Sequence, residues 1–303
     1  MFKLSAVVCA TDLSESSNKA LPLAAKIAAR HGAKLIIGHI IDLPAVTPYG
    51  ETMVDPQELR SRVEQSARAQ VMDIMSHCET VEWELRIAIG YPAKEILQIV
   101  GDSQAELAVA ATHTRSGLER LLLGSVSRKL MHSLTIPFII VPGDMPLEQL
   151  ERNLDSVLIA CDFSPDSAGA VHWGIDFSQA FGAKLTLATV IEPSQLAQLL
   201  KLDPQKERGL AADFQNELRQ KLRAAIPEDY QDQPFESVIL AGQPHEEINK
   251  YAILNHVDLI VMGVRGRGFL ENILVGSTTD RLIRLGQFPV MAVCAPKERP
   301  LGS

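Results

Sequence analysis

The sequence predicts an α/β protein made of two tandem domains, each a doubly wound parallel sheet of five strands. Three observations support this fold class. The same order of apolar runs and helical patterns occurs twice along the 303 residues. Strand-length apolar runs alternate with helical patterns, which is typical of right-handed βαβ crossovers. The composition is 46% hydrophobic but only 5% aromatic, which suits aliphatic strands buried between two helical layers.

Each half begins with an apolar run that ends at an aspartate, followed by a helical pattern with Ser or Asp before it as cap and by the tetrapeptide Gly-Ala-Lys-Leu. The paired segments are residues 4–10 and 157–161, Asp12 and Asp162, residues 17–31 and 167–181, and residues 32–35 and 182–185. Asp12-Leu13-Ser14 is thus repeated as Asp162-Phe163-Ser164, 150 positions later. A repeat of this kind indicates duplication of a whole domain.

The remaining elements repeat in the same order, each strand being followed by a helical segment. The pairs are the second strands 36–41 and 186–191, the variable helices 55–76 and 205–225, the helices 93–101 and 245–255, the fourth strands 107–111 and 259–263, and the fifth strands after Pro137 and Pro289. We therefore predict domains at residues 1–143 and 154–303, joined by a polar linker at 144–153 that is rich in turn-forming residues.

Residues 258–277 of the second half have the pattern of a phosphate-binding loop. A short apolar strand leads into Gly263, Gly266 and Gly268, which alternate with two arginines, and Gly276-Ser277 opens the next helical pattern. Glycines let backbone N–H groups approach an anion, and a helix N-terminus offers unpaired donors and the positive end of its dipole. Ser277 suits the N-cap of that helix.

Three separated segments are expected to meet at one edge of the second sheet. In a doubly wound sheet, ligands bind beyond the carboxyl ends of the strands, where the strand order reverses. Asp162, Val190 and Gly263 stand at the ends of the first, second and fourth strands. We therefore expect these three residues on the same rim.

With the repeat and the loop taken together, the sequence resembles the universal stress protein family in its tandem form, over essentially the whole chain. The family's nucleotide motif is Gly, two residues, Gly, nine residues, Gly and then Ser or Thr. It is complete here as Gly263, Gly266, Gly276 and Ser277. The resemblance implies an adenine nucleotide alpha hydrolase-like fold, two halves packed as an internal pseudo-dimer, and further homodimerisation.

The resemblance also implies a site for ATP, or for AMP or ADP, in the second half, with Mg²⁺ as an optional companion of the phosphates. Asp162 with its neighbours Ala160 and Cys161 would meet the adenine or ribose. Val190 would offer backbone hydrogen bonds to adenine, and Met262 would pack near the nucleoside. The residues implied at the phosphates are Gly263, Arg265, Gly266, Gly276, Ser277, Thr278 and Thr279.

The first half departs from the motif at two positions. Ala111 and Thr114 stand where the second half has Gly263 and Gly266, whereas Gly124-Ser125 is retained. A Cβ at both early positions would crowd the backbone against a phosphate. We expect weak or absent nucleotide binding in the first half, with Asp12 acting as a helix cap or a paired carboxylate, although its retained residues leave binding there open.

Composition and spacing argue against several other classes of protein. The net charge of −8 disfavours nucleic acid as a partner, because phosphate-backbone binding needs a basic face. The four cysteines have no CxxC spacing and the eight histidines have no HxxxH or HxH spacing, so we expect reduced core thiols and no dedicated metal site. No signal-peptide pattern opens the chain and no apolar run reaches the ~20 residues that span a bilayer. We expect a soluble cytoplasmic protein.

Three functions are compatible with these features. The first is a nucleotide-dependent binding or regulatory module in the stress response. The second is a slow ATPase or autokinase, although the sequence has no Walker lysine, no kinase triad and no SGGxDS-like loop, so that no catalytic residue can be named. The third is a nucleotide-independent scaffold that associates through apolar edge strands.

Overall fold

The computed structural model describes residues 3–42, 56–112, 124–193, 207–264 and 275–294. The chain divides into two compact units, residues 2–153 and 154–303. We call these units the first half and the second half.

The first half consists of five strands with helices between them. Its elements are β1 (Ala6–Thr11), α1 (Glu15–Asn18), α2 (Ala20–His31), β2 (Lys34–Asp42), α3 (Pro56–Ser76), β3 (Trp83–Gly90), α4 (Pro92–Asp102), β4 (Leu107–Ala111), α5 (Ser125–Ser133), β5 (Phe138–Val141) and α6 (Leu147–Glu151).

The second half repeats this order with one uninterrupted helix after its first strand. Its elements are β6 (Ser156–Ala160), α7 (Pro165–Phe181), β7 (Lys184–Ile191), α8 (Glu207–Ala224), a 3₁₀ turn (Glu228–Tyr230), β8 (Glu236–Ala241), α9 (Pro244–Leu254), β9 (Leu259–Gly263), α10 (Ser277–Leu285) and β10 (Val290–Val293).

The strand order confirms a doubly wound parallel sheet in each half. The order is β3-β2-β1-β4-β5 in the first half and β8-β7-β6-β9-β10 in the second, and all of these neighbours are parallel. The order reverses between β1 and β4 and between β6 and β9. These are the two positions at which a sheet of this type opens a crevice beyond its carboxyl edge.

Burial follows the position of each strand in its sheet. The central strands β1, β4, β6 and β9 are almost wholly buried, whereas β3 and β8 are only partly covered. Strands covered on both faces need continuous aliphatic runs, and the central strands have them. The aliphatic composition is therefore explained by helices on both sides of each sheet.

The two Gly-Ala-Lys-Leu segments end the long helices of the two halves in the same way. Gly32 and Gly182 have φ of 63° and 66°, and their N–H groups bond back to carbonyls of the last helical turn. Glycine adopts this left-handed conformation without a Cβ penalty, so it terminates a helix efficiently. The next residues then enter β2 and β7.

The first helix of the first half differs from the prediction of one continuous helix over residues 17–31. The helix is interrupted at Lys19, which separates α1 from α2. Pro22 explains the interruption, because it lacks the N–H that would bond to the Asn18 carbonyl and its ring crowds that carbonyl. His172 stands at the corresponding position of the second half, where α7 continues without a break.

Part of the segment expected as a polar linker forms a helix held on the first half. The Lys26 side chain is 3% exposed and donates hydrogen bonds to the carbonyls of Leu150, at 2.8 Å, and Arg152. Both carbonyls lie at the C-terminal end of α6, where the helix dipole favours a cation. Leu150 is itself buried, so this helix contributes to the core of the first half.

All four cysteines lie within the described residues and are reduced thiols. Burial is the main reason that the pKa of Cys9 is raised and that the pKa of Cys78 is raised to about 11. A thiol with a raised pKa carries little thiolate and reacts slowly. Among the described helices, none is both long and apolar enough to span a bilayer.

The 3₁₀ turn of the second half is fastened to α7 by one short hydrogen bond. The Tyr230 hydroxyl donates to Asp176 Oδ1 at 2.7 Å, and Asp176 is buried. This bond to the carboxylate, followed by desolvation, raises the pKa of Tyr230 to about 12. The neutral phenol is the donor in this hydrogen bond. The bond therefore contributes its full share to the stability of the folded state below the ordinary tyrosine pKa of about 10, and this contribution is lost as the pH rises through about 12.

We expect one of the four tyrosines to ionise near pH 12 in a titration followed by ultraviolet absorbance. Tyr230→Phe should remove this late component, whereas Tyr251→Phe should leave it in place. If the late component persisted in Tyr230→Phe, it would belong to another tyrosine and the hydrogen bond to Asp176 would not be its cause.

Candidate functional site

The carboxyl edge of the second sheet brings together residues from three strands. Ala160, the last residue of β6, is paired with Ala188 of β7 on one side and with Met262 of β9 on the other. Neighbouring strands lie about 4.8 Å apart, so Ala160 and Met262 are adjacent. Both residues line the switch point of this sheet.

The turn after β6 is held by Asp162. Phe163 has φ of 62°, a left-handed conformation that is strained for a bulky residue. Asp162 Oδ1 accepts the Ser164 N–H at 3.0 Å, and Ser164 Oγ in turn accepts the Ser167 N–H at 3.3 Å. The first of these bonds closes the turn and the second caps α7.

The first half has the same turn, and side-chain hydrogen bonds from Thr11 also brace it. Leu13 has φ of 67°, and Asp12 Oδ1 accepts the Ser14 N–H at 3.0 Å. The Thr11 hydroxyl also donates to Asn18 Oδ1 at 2.8 Å, and Thr11 Oγ1 accepts the Leu13 N–H at 2.9 Å. Asp12 therefore has a structural role in the half whose nucleotide motif is incomplete.

Val190 lies within β7 and directs its backbone toward the crevice. The Ala188 carbonyl accepts the Cys161 N–H on the β6 side, and the Ile191 carbonyl accepts the Gly242 N–H on the β8 side. Alternate residues of a strand point their backbone groups to opposite neighbours, so Val190 faces the β6 side, as Ala188 does. Strand β6 has ended at Ala160 by this level, which leaves the Val190 backbone beside the Asp162 turn.

Gly263 ends β9 directly beneath the first turn of α7. A Cβ added at Gly263 would lie 2.8 Å from Asp166 Cβ and 2.9 Å from both the Asp166 carbonyl carbon and the Ser167 nitrogen. Real Cβ atoms essentially never come this close to another heavy atom. The strand end and the helix start can therefore approach each other only because residue 263 has no side chain.

The N-cap of α10 is Gly276, and the prediction of Ser277 as N-cap is wrong. Gly276 has an extended backbone, and its carbonyl accepts the Asp280 N–H at 3.0 Å, which is the first bond of the helix. Ser277 is already helical and exposed. Because glycine has no side-chain oxygen, the N-cap residue itself makes no side-chain hydrogen bond to this helix start. Its first N–H groups and its positive dipole end are therefore suited to an anion.

Thr279 joins the start of α10 to the end of β9. Its side chain is 2% exposed, and its hydroxyl donates to the Gly263 carbonyl at 2.9 Å. The single hydroxyl proton is thus committed to the backbone, so Thr279 can help an anion site by positioning α10. Thr278 beside it is partly exposed.

The described residues gather most of the residues implied at the site. Those at the carboxyl edge are Ala160, Cys161, Asp162, Val190, Met262, Gly263, Gly276, Ser277, Thr278 and Thr279. Arg265 and Gly266 lie outside the described residues, as does Thr114 of the first half. Within the described part of the chain, no three His, Cys, Asp or Glu side chains cluster so as to hold a metal ion.

The sequence predicted a Ser or Asp cap before this helix, and Ser164 provides that cap, but sequence reasoning missed the role of Asp166. Ser164 caps α7 and its N–H donates to Asp162, while Asp166 packs against Gly263. A signal for the cap is present, since Ser164-Pro165 has the N-cap residue followed by proline at the first helical position. The packing of Asp166 on Gly263 has no signal in the sequence, because the two residues are almost one hundred positions apart.

The corresponding edge of the first half keeps the helix start but not the glycine. Gly124 is the N-cap of α5 and also lacks a side-chain cap, and Ser125 follows it. Ala111 is buried at the end of β4, where its carbonyl accepts the Ser127 hydroxyl at 3.4 Å. The link between strand and helix therefore recurs in both halves, with a longer hydrogen bond in the first.

Comparison with known proteins gives the same assignment for both halves. A family model described as the universal stress protein family matches residues 4–142 and 153–293. A universal stress protein of Mycolicibacterium smegmatis is 28% identical over 300 residues, covering 95% of this chain and 96% of that protein. Universal stress protein Mb2028c of Mycobacterium bovis is 25% identical over 293 residues, covering 94% and 95%.

A solved structure shares the fold over both halves. It is the crystal structure of a universal stress protein from Archaeoglobus fulgidus, with a TM-score of 0.67 and 21% identity. The match covers 97% of this chain and all of that one. At this identity the likeness concerns the fold.

We expect Thr279→Val to lower the free energy of unfolding of the second half by about 1 kcal/mol, because the partly buried Gly263 carbonyl loses its hydroxyl donor. The matched change Ser127→Ala in the first half should cost less, since a 3.4 Å bond is weaker than one at 2.9 Å. Urea unfolding of both variants measures the difference. Equal midpoints for Thr279→Val and wild type would show that this hydroxyl does not hold α10 on β9.

Proposed function

The chain belongs to the universal stress protein family in both of its halves, and from this premise we propose that it binds an adenine nucleotide, ATP in the first instance, at the carboxyl edge of the second half. The bound nucleotide would set a conformation or an association state that partner proteins recognise in a stress response. We propose a cytoplasmic homodimer as the acting form.

The observation that carries this proposal is the helix start at Gly276. In the second half, an α10 N-terminus whose N-cap residue, Gly276, makes no side-chain hydrogen bond coincides with a complete nucleotide motif, and it faces the same edge as the Asp162 turn. The first half has a similar helix start at Gly124 but lacks the two early glycines. The coincidence of both features favours the second half as the binding half.

Main-chain donors suit a phosphate ligand in a protein of this charge. The net charge of −8 gives no general attraction for an anion, so binding must come from local groups. Backbone N–H groups and the helix dipole supply such local positive potential at α10. Arg265 is a further candidate from the sequence, and Mg²⁺ would be a natural companion of the phosphates of ATP.

The nucleoside end of the ligand would lie toward β6 and β7. The backbone of Val190 faces the space beyond Ala160, where it can pair with the edge of a purine, much as a strand would pair. Asp162 stands at the turn that borders the same space, and a carboxylate suits the hydroxyls of a ribose. The buried side chain of Met262 gives this end an adaptable apolar contact.

Ser277→Glu tests both the ligand and the half that binds it. A carboxylate in the first turn of α10 favours the helix itself but repels a phosphate, so folding is preserved while binding is opposed. We expect the affinity for ATP to fall by about tenfold or more, equivalent to about 1.4 kcal/mol, in isothermal titration calorimetry. Adenosine should bind the variant as it binds the wild type.

Ser125→Glu is the matched control in the first half. This change places the same charge at the same position of α5, and it should leave ATP affinity unchanged. If Ser125→Glu lowered ATP affinity and Ser277→Glu did not, the binding half would be the first. If wild-type protein gave no heat with ATP, the proposal of nucleotide binding would fail and the scaffold hypothesis would gain.

A further inference from the structure

We infer that Gly263 acts on the nucleoside end of the proposed site, by positioning the Asp162 turn through the first turn of α7. In the family motif this glycine belongs with the phosphate loop. The packing around it points to a second effect that does not involve phosphate. The inference rests on the proposed function, and its experiment separates the two.

The first step is the contact between β9 and α7. A Cβ at position 263 would meet the backbone of Asp166 and Ser167 at 2.9 Å as well as Asp166 Cβ at 2.8 Å. Backbone atoms of a helix cannot turn aside as the end of a flexible side chain can. A side chain at position 263 would therefore displace the first turn of α7 or the end of β9.

The second step runs from α7 to Asp162 through hydrogen bonds. The Ser167 N–H, whose nitrogen is one of the atoms closest to the missing Cβ, donates to Ser164 Oγ at 3.3 Å. The Ser164 N–H donates to Asp162 Oδ1 at 3.0 Å. A shift of the helix start is thus passed to the Asp162 carboxylate through two hydrogen bonds and one residue with a strained backbone, Phe163.

The first half shows what accompanies an alanine at this position. Ala111 corresponds to Gly263, and there the helix after β1 is split at Lys19 into α1 and α2. Pro22 causes the split, so the position of the short α1 relative to β4 is not tied to the long helix. In the second half α7 runs unbroken from Pro165 to Phe181, so its first turn cannot move independently.

These contacts make Gly263 a positioning residue for Asp162. The absence of a side chain at Gly263 should therefore affect the affinity of any ligand that touches the Asp162 turn, whether or not the ligand carries phosphates. A role limited to the phosphates would instead affect only ligands that carry them. The two roles therefore differ in which ligand loses affinity.

The experiment measures binding of ATP and of adenosine to full-length wild type and Gly263→Ala by calorimetry. We expect both affinities to fall by about tenfold or more, and by similar factors. The control Ala111→Gly, at the corresponding position of the first half, should change neither affinity. Urea unfolding of each variant shows that it is folded under the conditions of the titration.

Ser164→Ala provides a second route if Gly263→Ala does not fold. It removes the cap of α7 without adding an atom near β9, and loss of a serine cap costs about 1 kcal/mol, so a folded protein is expected. Adenosine and ATP should again both bind more weakly, by severalfold. Ser14→Ala removes the corresponding cap in the first half and should leave both affinities unchanged.

The outcomes distinguish the inference from the proposed function. If Gly263→Ala and Ser164→Ala lowered ATP affinity but left adenosine affinity intact, the inference would be wrong while nucleotide binding would stand. The inference would equally be wrong if the wild type bound ATP and not adenosine, because the nucleoside end would then add no measurable affinity. A wild type that binds neither ligand would end both proposals.

Discussion

The second half is organised around the close approach of two main-chain segments, the end of β9 and the first turn of α7. Gly263 makes this approach possible because a Cβ there would lie within 3 Å of the helix backbone. The same glycine offers its carbonyl to Thr279, which holds the start of α10. One residue without a side chain thus fixes two helix starts relative to a single strand, and the Asp162 turn is attached to one of them. Gly263 therefore serves both packing and hydrogen bonding, because the main chain at this partly buried strand end also needs hydrogen-bond partners.

The two halves of the chain show how the same turn and helix start after the first strand form with a glycine at the end of the fourth strand in one half and an alanine in the other. Both keep the aspartate, the residue with positive φ and the serine cap after the first strand. The first half has Ala111 at the strand end, a proline that separates the first helical turn, and a threonine whose hydroxyl braces the turn. This arrangement is present in both halves because its requirements are local. A phosphate cradle is more demanding, because it also needs backbone that no Cβ obstructs.

The net charge of −8 and the helix start at Gly276 are compatible because they act over different distances. Charges spread over the surface are screened beyond about 8–10 Å at physiological salt, whereas backbone N–H groups at a helix terminus act on an anion in direct contact. An acidic protein can therefore offer a phosphate site built from main-chain dipoles. In this family member the dipoles and the turn come from widely separated parts of the sequence, and the parallel sheet brings them together.

The duplication, the alternation of strands and helices, and the edge where a site is expected could all be predicted from the order of residues, because each depends on residue type at fixed spacing. Patterns of this kind also identified the glycine motif and the helix stops at Gly32 and Gly182. Three features were established by the folded structure: α7 is unbroken where its counterpart is split, Gly276 is the cap of α10, and Asp166 packs on Gly263. Pro22 did carry a signal for the split, but the other two outcomes depend on backbone dihedrals and on contacts between residues far apart in the chain. Such contacts form only when the strands lie side by side in the folded sheet. Spacing along the chain can be read from the sequence, but the distance in space between residues far apart in the chain cannot.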